Sequence, residues 1–332
     1  MIRSFAFTTA GKLHTKDIDV FLMPSLLADT SLFLWVDLEK ATLEESHQIL
    51  ENVFHFHPLS IEDCINDSLS PKVESYEPKE DDRFAPYLFM VIHGVDYNRQ
   101  DSVFATSELD FFLGKNFLVT YHNVPLRSIS QVEERCLRST ISVARAPDRV
   151  AHALLDSLVD NYKPALEELS EEISELDELV LKSATPVTLE RVLKAKKEVQ
   201  HLRKIMGPQR EVLARFARGE FKLIRPHLVP YYRDVYDGLY HISELAQGYT
   251  DSLSGILQTY LNVATNQQGE VVKVLTMITI LTTPATIIAS WYGMNFKFMS
   301  EVEWQHGYAY VLVLTILSTL GTLVYFKQKK WL

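Results

Sequence analysis

Five hydroxyls, on Thr276, Thr279, Thr283, Thr286 and Ser290, follow one another at steps of 3, 4, 3 and 4 residues. That spacing puts all five on one face of an α-helix. Gly293-Met294-Asn295 comes next. Glycine lets backbones approach closely and bares carbonyl oxygens where a helix ends; asparagine adds a neutral amide oxygen. Such oxygens, repeated around an axis, suit a hard cation such as Mg²⁺, which sheds its water reluctantly. They hold the hydrated ion through its waters, whereas a ring of carboxylates would bind too tightly for release. Two plainer readings stand beside this one. Hydroxyls in an apolar helix can bond back to their own i−4 carbonyls, and Gly/Asn is an ordinary helix stop.

The elements that must position these groups are apolar. Val274 to Trp291 and Tyr308 to Phe326 are charge-free runs of about 18 and 19 residues, near the roughly 20 that a helix needs to cross about 30 Å of hydrocarbon. We read them as a hairpin with spans 271–291 and 308–326 and a loop 292–307. Lys273 sits just before the charge-free run of the first span, and Lys327, Lys329 and Lys330 follow the second. The loop sets Glu301 and Glu303, placed to attract cations, against Lys297. Basic residues mark the cytoplasmic side, so both termini are expected inside, in a multi-pass protein of the inner (plasma) membrane. A single hairpin cannot enclose water. A wet hydroxyl face therefore requires several copies around an axis.

With 43 acids against 33 bases in 332 residues, the net charge is −10. This argues against nucleic acid as a partner and leaves cations and the bilayer. Cys64 and Cys136 are far apart, both ahead of the first span, and are expected as thiols. No phosphate loop, nucleophile elbow or zinc helix is present, so the chain reads as no enzyme, with no organic cofactor. His55 and His57 have a ligand-like spacing, but we read them as structural.

Residues 1–147 form an α/β domain on this reading. Strands are predicted at Ile2–Phe7, Leu32–Asp37, Tyr87–Ile92 and Phe117–Thr120. A helix runs from Leu43 to Phe54, with Thr42 and Glu45 as a capping box. Ser68–Arg83, with two prolines and five acids, is predicted as a surface loop. Residues 148–270 form a helical stalk of three helices: about 148–184, about 186–219, and one from near Pro230 to Pro284 of about 60 residues, near 90 Å. So long a helix needs company along its length. The acid run Glu167, Glu168, Glu171, Glu172, Glu175, Asp177, Glu178 reads as a solvated face, with cation attraction as the other reading. A basic tail, 327–332, closes the chain.

Tyr292-Gly293-Met294-Asn295-Phe296, between two C-terminal spans, resembles the CorA family of Mg²⁺ transport proteins. Trp35-Val36-Asp37-Leu38, His57-Pro58-Leu59-Ser60-Ile61-Glu62-Asp63, Pro71-Lys72-Val73-Glu74, Phe112-Leu113-Gly114-Lys115-Asn116 and Tyr232-Arg233-Asp234-Val235-Tyr236-Asp237 extend the likeness over nearly the whole chain. The resemblance implies a funnel-shaped homopentamer that carries Mg²⁺, with Co²⁺ or Ni²⁺ as further cargo. Gly293, Met294 and Asn295 would be its filter, and Val272, Leu275, Thr279, Thr283, Thr286 and Ser290 its pore wall. It also implies regulatory Mg²⁺ held between subunits by acids. Asp234 matches one, Asp237 and Asp251 lie on the same helix, and Asp96 or Asp101 is the expected partner. Gln258 stands where relatives often have a second sensing Asp, Thr283 where they have Met, and Lys297 where an acid is common. Two alternatives remain: a Zn²⁺ or other transition-metal transporter of the same superfamily, and a membrane-anchored sensory scaffold.

Overall fold

The computed structural model describes residues 1–66, 70–80, 82–95, 106–138, 143–294, 304–329 and 331. Among these, seven strands form one sheet: β1 (Ile2–Thr8), β2 (Leu13–Lys16), β3 (Leu32–Glu39), β4 (Lys72–Tyr76), β5 (Tyr87–Val95), β6 (Thr106–Gly114) and β7 (Phe117–His122). Their order is β2-β1-β3-β7-β6-β5-β4. Only the central β3–β7 pair is parallel; the other pairings are antiparallel. β3 is buried at every position but the last, because both faces of a central strand are covered.

Alternation sorts the two faces. Leu34, Val36, Phe89, Val91, Phe112 and Val119 share a core with Met23 of α1 (Met23–Ala28), Ile49 and Leu50 beside α2 (Leu43–His47), and Ile61 of α3 (Pro58–Ile65). Helix α2 begins at the predicted capping box and runs on as a π-helical turn, Gln48–Val53. The opposite face meets α5 (Pro147–Asp160), with α4 (Arg127–Arg138) beside it. At the β6–β7 turn a Cβ on Gly114 would run into the buried Phe117 ring, so glycine is favoured there. Cys64 and Cys136 are buried and form no disulfide.

Two expectations need correction. Ser68–Arg83 is not all surface loop: Lys72–Tyr76 is strand β4, paired antiparallel with β5. Pro71 and Pro78 bracket that strand, where proline is tolerated, and Tyr76 stacks on Tyr87 with centroids 4.9 Å apart. The 148–184 helix is in fact two, α5 and α6 (Tyr162–Lys182), which part at Asn161. Pro164 has no N–H for the carbonyl of Asp160, and Tyr162 turns inward, fully buried, to donate to the His93 carbonyl at 2.8 Å.

Helix α7 (Pro186–Ala217) starts at the predicted break, with Thr185 as its N-cap. Helix α8 (Val229–Tyr292) has 64 residues, about 96 Å at 1.5 Å per residue, and it passes through Pro284. Its buried positions, Tyr232, Val235, Leu239, Ile242, Ala246, Leu253 and Ile256, keep helical spacing and stop at Ile256. Helix α9 (Gly307–Gln328) follows. The chain divides into two compact units: Met1–Leu179 with Thr185–Leu257, and Val180–Ala184 with Gln258–Leu332.

In the first unit an ion network knits β1, β3, β7 and α4 together. Arg3 reaches Asp37 at 2.6 Å, Glu39 at 3.1 Å and Glu133 at 2.9 Å. Asp37, 1 % exposed, also takes the Thr120 hydroxyl at 2.5 Å and faces His122 at 3.3 Å. The other His122 ring nitrogen lies 2.6 Å from the Val124 carbonyl. Burial opposes the charge on both groups. It is outweighed by their mutual attraction and hydrogen bonds, so His122 rises above its ordinary 6.5 and Asp37 falls below its ordinary 3.8. The His122 contribution to stability is complete below about pH 6.5 and is lost as pH climbs through its folded pKa. The Asp37 contribution is complete above about pH 3.8 and is lost as pH drops through its folded pKa. Thermal melting of the detergent-solubilised protein, followed by tryptophan fluorescence, should therefore lose Tm on the alkaline side. His122→Gln should remove that alkaline loss and lower the plateau by about 1.5–3 kcal/mol, the worth of a charge-assisted bond.

Candidate functional site

Each threonine of the expected stripe sits on α8, and its hydroxyl bonds back along the helix. Thr276 donates to the Val272 carbonyl at 2.8 Å, Thr279 to Leu275 at 2.9 Å, Thr283 to Thr279 at 2.6 Å and Thr286 to Thr282 at 3.0 Å. The plainer reading of these hydroxyls is thus realised. It does not make them inert. A hydroxyl has one proton and two lone pairs; with the proton spent on the helix, what faces outward is acceptor only. Thr279, Thr283, Thr286 and Ser290 are exposed and Thr276 is half-buried. The four back-bonded threonines therefore meet the water protons around a cation and give nothing to an anion.

Val272 and Leu275, two turns and one turn below Thr279, are 56 % and 64 % exposed. The side chains at this end are therefore apolar and uncovered, while the hydroxyls lie further on. The face ends at Gly293, whose N–H donates to the Ala289 carbonyl at 2.9 Å, and Met294 follows at a 3.4 Å bond to Trp291. A Cβ on Gly293 would meet the Ala289 oxygen at 2.8 Å, and that oxygen is backbone, so it cannot swing aside. Asn295, Glu301, Glu303 and Asp96 lie outside the described residues, as do Asp101 and Lys297.

The regulatory candidates do not converge within one chain. Asp234, Asp237 and Asp251 are all exposed on α8, and Asp234 and Asp251 are about 25 Å apart along the axis at 1.5 Å per residue. Asp251 is held by Gln247 at 3.0 Å. Asp234 has other company: its charge reaches His152 and Asp156 on α5 and Lys163 on α6. Burial first, then Asp160 and Asp234, push the half-buried Asp156 carboxyl up despite His152. Burial pushes His152 down. Lys163 answers part of this negative charge by pairing with Asp160 at 2.7 Å. Asp156 and Asp160 were missed in the sequence. Their i, i+4 spacing on one helix face was visible there, but their nearness to Asp234 depends on how α5 meets α8.

Among the described residues, Asp37, Glu39 and His122 alone bring three ligand atoms within 4.8 Å of one another. Arg3 already fills the space between the two carboxylates, so the group is an ion network. His55 and His57 serve structure, as read: the His55 ring meets the Glu51 carbonyl at 2.8 Å, and the His57 ring caps α3 through the Leu59 N–H at 3.2 Å.

The family model described as CorA-like Mg²⁺ transporter protein matches residues 31–328. The chain belongs to that family. It is 35 % identical over 333 residues to the cobalt/magnesium transport protein CorA of Thermotoga maritima, covering 100 % of this chain and 92 % of that protein. The solved CorA magnesium transporter of Methanocaldococcus jannaschii superposes with a TM-score of 0.82 at 18 % identity, covering 99 % of this chain and 98 % of that one. The full-length CmaX structure gives 0.75 at 15 %, with 99 % and 97 % covered. At those identities the two structures establish a common fold: the α/β domain, the long helix and the two apolar C-terminal helices. Both apolar helices are long enough to cross a membrane, in keeping with a family of membrane transporters.

For a CorA-like chain the Gly293 geometry has a direct consequence. Gly293→Ala must displace the Ala289 carbonyl at the helix exit. It should cut Mg²⁺ entry into reconstituted vesicles by about tenfold, equivalent to about 1.4 kcal/mol of barrier, while elution from a sizing column stays as in the wild type. Wild-type uptake would dismiss the close-contact argument.

Proposed function

We propose that the chain is a divalent-cation channel that lets Mg²⁺ into the cell down its electrochemical gradient. The observation that carries this reading is the acceptor-only hydroxyl face of α8, which leads into Gly293-Met294-Asn295. A face of this kind suits an ion that keeps its water, as Mg²⁺ does, and Co²⁺ or Ni²⁺ would travel in the same hydrated form. No Cys or His lies between Val272 and Asn295, so the soft or imidazole ligands that select Zn²⁺ are missing from the path.

The pore is proposed to be shared by five copies, with the first span of each lining the axis. Support comes from α8 itself, which buries nothing beyond Ile256 within one chain, so its later faces are left for lipid and for other copies. Gly293, Met294 and Asn295 form the filter. Thr279, Thr283, Thr286 and Ser290 wet the wall, and Val272 and Leu275 form the narrow apolar inner end, with Glu301 and Glu303 concentrating cations outside. Both termini are cytoplasmic in this arrangement. An inward membrane potential gives about 2.3 kcal/mol per charge per 100 mV, so about 4.6 kcal/mol for a divalent ion, and no nucleotide is needed.

Flux into vesicles, compared for Mg²⁺, Co²⁺, Ni²⁺ and Zn²⁺, tests the reading. Mg²⁺ should enter at micromolar to millimolar levels and Zn²⁺ poorly. Asn295→Ala should bring Mg²⁺ entry to the level of protein-free vesicles with the protein still folded. Undiminished entry in Asn295→Ala sinks the filter assignment.

Gating is proposed to pass through Asp234. Mg²⁺ held beside Asp234, with Asp156 and Asp160 near, ties neighbouring stalks together and keeps the pore shut. Without the ion the acids repel, and α8 carries the displacement to Val272 and Leu275. Asp237, Asp251 and Asp96 are the further acids of this proposal. Mg²⁺ should protect the wild-type stalk from protease, and Asp234→Lys should weaken that protection. Equal protection in both proteins would remove Asp234 from the mechanism.

A further inference from the structure

The α6–α7 hairpin is acidic along its first arm and acid-free at its tip. Seven carboxylates lie between Glu167 and Glu178, yet from Leu179 to Leu189 there is none, and Lys182 is the one charge. The tip also shows its apolar side chains to the outside. Leu181 is 63 % exposed and Val187 68 %, on either side of the turn. The turn is well made: Thr185 accepts the Thr188 N–H at 3.2 Å and meets its hydroxyl at 2.8 Å, and Pro186 opens α7. Leu181 and Val187 are thus displayed by an ordered element.

The tip keeps distinct company. Val180–Ala184 groups with Gln258–Leu332, the unit that contains both apolar helices and the basic Lys327 and Lys329. Apart from the apolar runs, the only long stretch of that unit on α8 is Gln258–Glu270, about 20 Å of helix at 1.5 Å per residue. α7 runs antiparallel to α8 in the first unit, with Arg210 over Tyr240, Arg203 beside Thr250 and Lys196 beside Ser254.

We propose that Leu179–Leu189 is a lipid-contacting foot. Leu181 and Val187 enter the headgroup layer of the cytoplasmic leaflet, and Lys182 pairs with lipid phosphate. The acid-free composition follows from the negative potential of that leaflet, which repels carboxylates and draws lysine. Apolar side chains beside a cation are what an interfacial segment carries. The proposal rests on the reading of α8 and α9 as membrane spans.

The test uses the full chain in vesicles of phosphatidylethanolamine and phosphatidylglycerol. Leu181→Cys and Val187→Cys are labelled with an environment-sensitive fluorophore; the native Cys64 and Cys136 are fully buried and stay unlabelled. Lipids with a nitroxide on the headgroup should quench both probes by roughly half, as for side chains buried about 5–10 Å into the interface, and aqueous iodide should quench them little. Lys222→Cys, exposed in the turn beyond the far end of α7, should behave in the opposite way. Probes open to iodide and blind to the lipid nitroxide would put the tip in water and overturn the foot. Probes shielded from both would place a second copy over it, and overturn it equally. Ile287→Cys, probed with acyl-chain nitroxides, reports the span separately. Failure there would remove the bilayer reading and the foot together, whereas the two preceding results would remove the foot alone.

Discussion

Asp148 sits 4 % exposed in the first turn of α5, where its carboxylate takes bonds from the Arg225 side chain at 2.6 and 2.8 Å and from the Arg225 N–H at 3.2 Å. Its carbonyl takes the Tyr232 hydroxyl at 2.6 Å. One buried residue thereby joins the start of α5, the turn ahead of α8, and the base of α8. A carboxylate is at home at a helix N-terminus, but removing Arg225 would strand the buried Asp148 charge, which costs several kcal/mol. Tyr232 adds a stacked contact to Phe216, with centroids 5.2 Å apart, so the end of α7 is locked to the same point. The long helix has its direction set here, far from its apolar end.

That anchoring explains the asymmetry of α8. Up to Ile256 the helix is an ordinary amphipathic element with a buried stripe at 3- and 4-residue spacing. Beyond it the same backbone continues with no side chain buried in its own chain. Every peptide N–H in this second half can be met inside the helix, which a hydrocarbon environment requires; Pro284 has none to satisfy. The threonine hydroxyls take their share of the same carbonyls.

The fold was legible in the sequence wherever burial on both faces makes a strand read as an apolar run. β1, β3, β5 and β7 are of that kind. β4 was hidden by Glu74, Ser75 and the flanking prolines, since an edge strand need be apolar only at Val73 and Tyr76. β6 opens with Thr106-Ser107-Glu108 and carries Asp110, a polar start that pattern reading passes over. Pro164 did mark the α5–α6 break, but the acid run around it reads smoothly as helix. In the site, the hydroxyl spacing was legible because it depends only on helix geometry. The company of Asp234 was not, because Asp156 and Asp160 come close only once α5 and α8 pack together. Trp35-Val36-Asp37-Leu38 stood out as a motif before its role was visible. That role emerges with Arg3, Thr120 and His122 around Asp37, on strands that meet only in the sheet.

The back-bonded threonines also bear on protons. A proton wire needs groups that accept one proton while handing on another, so each hydroxyl must keep its hydrogen available to the next member of the chain. Thr276, Thr279, Thr283 and Thr286 have committed theirs to carbonyls of their own helix. The face can accept bonds from water, but it cannot relay a proton from one hydroxyl to the next. A stripe that at first resembles a polar conduit therefore offers no hydroxyl-to-hydroxyl path for a proton.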